Sequence, residues 1–392
     1  MTDPAGLPAK ARVVVIGGGV IGTSIAFHLA EAGVPEVLLL ERGSLAAGST
    51  SKAAGGVRAQ FSDPVNIALG LRGLEAFEQF GKRPGFQIDL QQPGYLFLLD
   101  NPADVEAYRA SIDLQNRMGV ASRMLSVEQA VRLAPAVNPE AIIAAAYHPR
   151  DGYCSPESVT YGYASGARRH GATIRTGVAV TGIAVTSGEV TAIVTDHGTV
   201  EAGAVVCAAG AWSAEVASMA EVDLPVQPLR RQILVSEPVP ESLREVFPAG
   251  MPMTIDARST LYAHREGPGL LMGMSYRAET TGFRWEFSDA WDVDLGNAMQ
   301  RSMPALAEVG IAHRWVGMYE VTPDHNALLG ESASTSRFLY ACGFSGHGFL
   351  MGPAVGEIIR DLYLGRQPFV DVAEFSAERF ARGQQIAERN IV

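Results

Sequence analysis

Between residues 13 and 41 the hydrophobic pattern changes period twice. Val13 to Ile16 is an unbroken β-branched run, "GGGVIG" interrupts it, and "TSIAFHLAEAG" continues as an apolar helical stretch. Gly33 stands where a helix C-terminal glycine belongs. "EVLLLE" then predicts a second buried strand closing at Glu41. Further along, "ATIRTGVAVTGIAVTSGEVTAIVTDHGTVEAGAVVC" alternates β-branched runs with turn signals at "SGE" and "DHG". That predicts a small meander returning to a strand over Ala204 to Ala208. "FLYACGFSGHGFLMGPAVGEIIRDLYLG" reads as strand, Gly-rich loop and helix. "GYLFLL", "RRQILVSEP", "MTIDARSTLYAHRE" and "GLLMGMSY" are short β-type runs punctuated by Pro and Gly, as in an antiparallel sheet. Apolar faces around 66–80, 103–118 and 352–364 predict packing helices. The fold class is α/β (α+β).

Length and charge narrow the picture. At 392 residues the chain exceeds the roughly 250–300 at which one core stops growing, so two domains are expected. Net charge −11 argues against nucleic acid and anionic membrane surfaces and favours a small-molecule partner. Cys154, Cys207 and Cys342 lie in no metal-site spacing, and an odd count disfavours a disulfide framework. No metal is expected, and the thiols point to a reducing, cytoplasmic setting. The N-terminal residues carry no signal-peptide pattern and the apolar run after them is broken by glycines, so neither a leader nor a membrane span is expected.

Gly17, Gly19 and Gly22 stand in G-x-G-x-x-G spacing between strand and helix. Gly17 permits the turn, Gly19 lets backbone approach a pyrophosphate, Gly22 lets helix pack on strand, and the helix N-terminus offers its amides to the anion. Glu41, about 20 residues past the last glycine, would accept hydrogen bonds from a ribose hydroxyl and disfavours a 2′-phosphate. Dinucleotide binding follows, but FAD and NAD are not separated by these residues. "RGSLAAGSTSKAAGGVRAQF" continues from Glu41 as an extended Gly/Ser-rich segment that could run along a long cofactor. Arg58 in this segment raises the question of what anionic or planar group lies against it.

Taken in order, "VVVIGGGVIG…LLLERG", "VVCAAGAWS", "GMYEVTPDHNALLG" and "GFSGHGF" resemble the D-amino-acid oxidase superfamily of FAD-dependent oxidoreductases. The likeness is to the sarcosine oxidase, dimethylglycine dehydrogenase and glycine oxidase branch, and most to sarcosine oxidase β-subunit-like proteins. The resemblance implies a discontinuous, Rossmann-like (glutathione-reductase-type) FAD-binding domain over 1–85, 150–225 and 320–392. It also implies an antiparallel-sheet substrate-binding domain over 86–149 and 226–319. Cofactor-binding positions implied are Gly17, Gly19, Val20, Ile21 and Gly22 at the first turn, with Glu41 and Arg42 after the second strand. Gly48, Ser49, Thr50, Ala54, Gly55 and Gly56 follow in the extended segment; Val178, Ala209, Gly210, Trp212 and Gly317 come from the middle of the chain. Gly343, Ser345, Gly346, His347, Gly348, Phe349 and Leu350 form the closing loop, whose amides would grip the flavin's pyrimidine edge.

The same resemblance places Arg58 against the flavin face, where it would stack, lower a substrate amine's pKa or hold an anion. His347 is read either as a hydrogen-bond partner of flavin or substrate or as a structural histidine. Tyr262 and Tyr319 match pocket-lining positions and complete the catalytic candidates. Departures are as informative. Phe61 replaces the second arginine of sarcosine oxidases, Leu350 the lysine after "GHGF", and Met274 and Ser275 an active-site histidine. These four are expected to line the substrate pocket, which argues against sarcosine itself; Arg58, Arg265, Arg277 and Arg284 are alternative carboxylate anchors. Gly317 stands where some relatives carry a flavin-linking cysteine and Lys52 where others carry a linking histidine, so FAD is expected to be noncovalent. Leu271 replaces an oxygen-activating lysine, leaving O2 or another electron acceptor open. The expected reaction is hydride removal from the C–N bond of a small secondary, N-methyl or primary amino acid to flavin N5, followed by imine hydrolysis. Rivals are the flavin subunit of a larger dehydrogenase, with partner subunits or a homo-oligomer, and a non-catalytic FAD-binding redox sensor.

Overall fold

Runs such as Val13–Ile16 and Val37–Glu41 are apolar at every position because both of their faces are covered. In the computed structural model, which describes residues 6–384 and residue 388, they are inner strands of a six-stranded sheet. Its order is Leu328–Glu331, Phe338–Cys342, Val205–Cys207, Val13–Ile16, Val37–Glu41, Thr173–Thr176. All neighbours are parallel except the first pair. On one face Val13, Val15, Leu39 and Val206 pack against the helices Val20–Glu31, Pro156–Arg169 and Gly348–Tyr363. On the other, Val14, Leu38, Leu40 and Cys207 meet Ile183, Val190 and Ile193 of the expected meander. Alternation of side chains along each strand produces this division.

A second, eight-stranded sheet runs Ile311–Val321, Gln227–Ser236, Gly269–Met274, Tyr262–Glu266, Met253–Asp256, Tyr95–Leu99, Ala144–His148, Arg123–Leu125. It is antiparallel apart from the parallel pairing of Met253–Asp256 with Tyr95–Leu99. Leu96, Leu234, Met272 and Met274 point to a core closed by Trp291 and Leu295 of the helix Asp289–Ser302. Tyr95, Phe97, Met253, Ile255 and Tyr262 point the opposite way and pack with Tyr153 and Ala54. The expected helices are Pro64–Glu78, Pro102–Arg117 and Gly348–Tyr363; Asp63 caps the first, accepting from the amides of Val65 and Asn66. Ile311–Val321 runs beyond position 319, so one strand of the second sheet crosses the boundary expected there.

Candidate active site

The glycine turn is as crowded as its sequence requires. Gly17 has φ +119°, and a Cβ on it would lie 2.2 Å from the Ala208 carbonyl oxygen; one on Gly22 would lie 1.9 Å from the Gly17 oxygen. Gly22 therefore sets the helix against the strand without lining the groove. Glu41 Oε2 accepts from the Gly18 amide at 2.7 Å and Oε1 from the Gly43 amide at 2.7 Å, so the carboxylate also holds the turn itself. Thr50 Oγ1 accepts from the Val20 amide at 3.1 Å. A groove of ≈ 550 Å³ begins here, bordered by Gly17, Gly19, Ile21, Glu41, Arg42 and Val178. That volume is in the range of cofactor sites. Gly48, Ser49 and Thr50 continue one wall, and Ala209, Gly210 and Trp212 the other. The Arg42 guanidinium lies 4.1 Å from the centre of the Trp212 ring. Trp285 also borders the groove, stacked 6.4 Å from Trp212, a contribution the sequence did not announce.

At the far end the groove meets Gly317, Tyr319, Gly346, Gly348 and Phe349. Gly346 has φ +104°, and a Cβ there would fall 2.5 Å from the Tyr319 ring. His347 is the N-cap of the helix Gly348–Tyr363, whose first-turn amides have no intrahelical acceptors. Gly343 and Ser345 shape this loop from beneath instead of bordering the groove: Gly343 packs on Thr322, and Ser345 bonds to Glu320 and Thr322. Gly317 and Lys52 lie side by side, a Cβ on Gly317 being only 2.6 Å from Lys52 Cβ.

The groove continues into an inner chamber of ≈ 100 Å³, the two sharing Lys52, Ala53, Arg231, Tyr319, Gly346 and Phe349. Ala54, Gly55, Gly56 and Leu350 border the chamber, as do Arg58, Tyr262, Tyr319 and His347. Arg58 is buried; its Nη2 donates to His347 Nε2 at 3.2 Å, and its Nη1 donates to the Gln60 carbonyl. Its guanidinium lies 4.2 Å from the Phe61 ring centre. Burial, Arg58 and His325 hold the His347 imidazole well below its usual range, so it is neutral and accepts. Burial pushes the Tyr95 and Tyr262 phenols upward and keeps them protonated.

Three expected pocket residues lie elsewhere. Phe61 is fully buried and packs edge-on to His347 at 5.2 Å, supporting Arg58 from behind. Met274 faces the helix-side core because it shares the parity of Leu270 and Met272, and its carbonyl accepts from Trp291 Nε1. Ser275 lies past the strand end, its amide on Thr260 Oγ1. Arg265, Arg277 and Arg284 do not border the chamber; Arg277 and Arg284 are exposed. Leu271 is buried opposite Val235 and His264.

Sequence reasoning missed three groups. Arg231 borders both cavities, and the alternation in "RRQILV", which puts Arg231 and Ile233 on one face, was the available signal. Asp151, fully buried, accepts from the Ala59 amide at 3.0 Å, Gln60 Nε2 at 3.1 Å and His148 Nδ1 at 2.6 Å, and so fixes the segment carrying Arg58. Glu320 borders the groove with its carboxyl buried, and burial pushes that carboxyl up to about 7.

The family described as DAO, FAD dependent oxidoreductase, matches residues 12–362. The chain is 29% identical over 391 residues to mitochondrial dimethylglycine dehydrogenase of Mus musculus, covering 95% of this chain but 44% of that protein. It therefore spans less than half the length of this curated relative. Among solved structures, L-proline dehydrogenase from P. horikoshii superposes with a TM-score of 0.90 at 30% identity, covering 97% of this chain and 100% of that one. Glycine oxidase from Geobacillus kaustophilus gives a TM-score of 0.83 at 25% identity, covering 95% and 99%. Among the described residues no helix is long and apolar enough to cross a membrane.

Proposed function

Because the chain belongs to the DAO family of FAD-dependent oxidoreductases, we propose that it oxidises the C–N bond of a compact amino acid or secondary or N-methyl amine. The observation that carries this reading is the continuity, through shared lining residues, of the groove at the Gly17–Gly19 turn with the chamber holding Arg58, His347 and the tyrosines. The residues present fit the cofactor. Side chains at Gly17 and Gly346 would collide with backbone or ring atoms, and Glu41 retains lone pairs for a ribose hydroxyl after accepting its two amides. The first turn and its helix would hold the pyrophosphate, and the amides from Gly348 onward the pyrimidine edge. Neither Gly317 nor Lys52 offers the cysteine or histidine of a covalent link, so attachment is noncovalent. The six-stranded-sheet portion would carry the cofactor and the eight-stranded-sheet portion the substrate.

Bound FAD supplies a two-electron hydride acceptor. This chain's part is to receive the amine with its nitrogen neutral, since the lone pair must form the C=N bond as the hydride leaves carbon. The cationic Arg58 and Arg231 beside the chamber favour loss of the ammonium proton. His347 Nε2 is already occupied by Arg58, so imidazole positions that guanidinium. Released imine hydrolyses to carbonyl compound and amine or ammonia.

A second reading, a dehydrogenase that passes electrons to a partner protein instead of O2, is supported by the likeness to a protein named L-proline dehydrogenase. Buried thiols accord with a reducing cytoplasm. Anaerobic mixing of the yellow holoprotein with a panel of amino acids and methylamines, then with air, tests both. Bleaching by at least one amine is expected. A flavin that none reduces sinks the proposal, and slow reoxidation by air with fast dye reduction selects the dehydrogenase.

A further inference from the structure

The segment between the strand Gly269–Met274 and the helix Asp289–Ser302 is exposed along most of its length, yet it is pinned to the strand Gln227–Ser236. Arg230 and Glu279 form a forked pair, Nε to Oε2 at 2.9 Å and Nη2 to Oε1 at 3.2 Å, with both side chains buried. The same guanidinium donates through Nη1 to the Glu286 carbonyl at 2.6 Å. The Gly282 amide donates to the Pro228 carbonyl at 2.8 Å, and the Ser288 amide to Gln232 Oε1 at 2.9 Å. Desolvating an ion pair this fully is unfavourable unless its geometry is good, and the forked arrangement meets that condition while fixing where the segment lies.

What the pinning holds in place is three aromatic side chains within five residues. Phe283, Trp285 and Phe287 are 37%, 53% and 37% exposed, a concentration of apolar surface that marks a working face. Phe283 and Trp285 leave the eight-stranded-sheet portion and stack on Trp212, which follows the strand Val205–Cys207 of the six-stranded sheet. Ring centres are 5.1 and 6.4 Å apart and the planes 21° and 17° from parallel, as in offset stacking. Trp212, Trp285, Arg42 and Gly48 all line the groove, and a Cβ on Gly48 would sit 3.6 Å from the Trp212 ring.

We propose that residues 279–288 form a clasp across the cofactor groove. Trp285 and Phe283, stacked on Trp212, hold the two portions together over bound FAD, and the Arg230–Glu279 pair is the latch. FAD leaves only after the stack parts, so the clasp acts on the rate of release. This depends on the cofactor and on no particular substrate, and its test is independent of the amine-oxidation reading.

The test follows FAD release from diluted holoprotein as the rise of free-flavin fluorescence. Trp285→Ala should release FAD about tenfold faster than the wild type, the size of one lost aromatic contact. Trp285→Phe should recover most of the difference. Glu279→Gln unlatches the segment from outside the groove and should also speed release. Trypsin gives a second measurement on the unsubstituted chain, because Arg284 is exposed within the clasp. Excess FAD should slow cleavage after Arg284, and holoprotein cut there should lose FAD faster. Release unchanged in both Trp285→Ala and the cut holoprotein would overturn the proposal, as would cleavage after Arg284 that is indifferent to FAD. So would a Trp285→Ala protein with wild-type FAD release but altered sedimentation, which would assign the aromatic face to contact with another protein molecule.

Discussion

Replacing Glu320 by Gln should stabilise the protein at alkaline pH and leave it unchanged in acid. Among the described residues Glu320 Oε2 is buried without a hydrogen-bond partner, while the amides of Gly343 and Phe344 donate to the carboxyl. The titratable groups facing it are the Cys207 and Cys342 thiols, both pushed upward by burial and so neutral. Burial raises the Glu320 carboxyl from 4.5 to about 7. Between those values the unfolded chain has released the proton and the folded one has kept it, so stability falls as pH rises through this window. Above about 7 the whole cost is present. The difference, 7 − 4.5 = 2.5 units, corresponds to about 3 kcal/mol at 1.36 kcal/mol per unit. For 392 residues the unfolding entropy is roughly 0.8 kcal/mol/K, which converts that cost to about 4 °C in Tm. A glutamine carbonyl still accepts from the loop amides but never ionises. Calorimetry of wild type and variant from pH 4.5 to 8 should show Tm values converging in acid and the variant higher by several degrees at pH 8. A difference independent of pH, or a variant less stable at pH 8, would refute the reasoning.

Gly22→Ala places a Cβ 1.9 Å from the Gly17 oxygen; the purified protein should be colourless or insoluble, checked by flavin absorbance. Asp151→Asn introduces an N–H where only donors converge; a cost of roughly 1–3 kcal/mol is expected, with FAD retained and flavin reduction slowed as Arg58 loses its support, measured by anaerobic stopped flow. The cysteines are free and buried; a thiol reagent should leave the native protein unlabelled and modify all three after denaturation. Asp63→Ala removes the cap of the helix Pro64–Glu78 and should lower stability by about 1 kcal/mol, read as a fall in Tm.

Local order was the legible part. The β-branched run, the glycines and the helical stretch up to Gly33 specify strand, turn and helix through contacts only a few residues apart, and the meander and closing loop carried equally local turn chemistry. Phe61, Met274 and Ser275 were misplaced because alignment by position says nothing of the side a residue faces. Met274 differs from Gly273, which packs against the chamber-lining Tyr262, by one step of a period-two strand, and that step moves it to the opposite core.

Sequence alone predicted a groove opening at Gly17 and closing near Phe349, because each end is built from glycine geometry and helix amides within one short segment. Only the tertiary structure decided which charges enter the chamber. Arg230 and Arg231 are chemically identical, yet a glutamate 49 residues away neutralises one and leaves the other facing the chamber. Asp151 reaches Arg58's segment only because the two-stranded pairing of Gly56–Val57 with Gly152–Tyr153 brings them together. Counter-ions and buried acceptors are assigned by folding across long stretches of chain, and no local pattern records them.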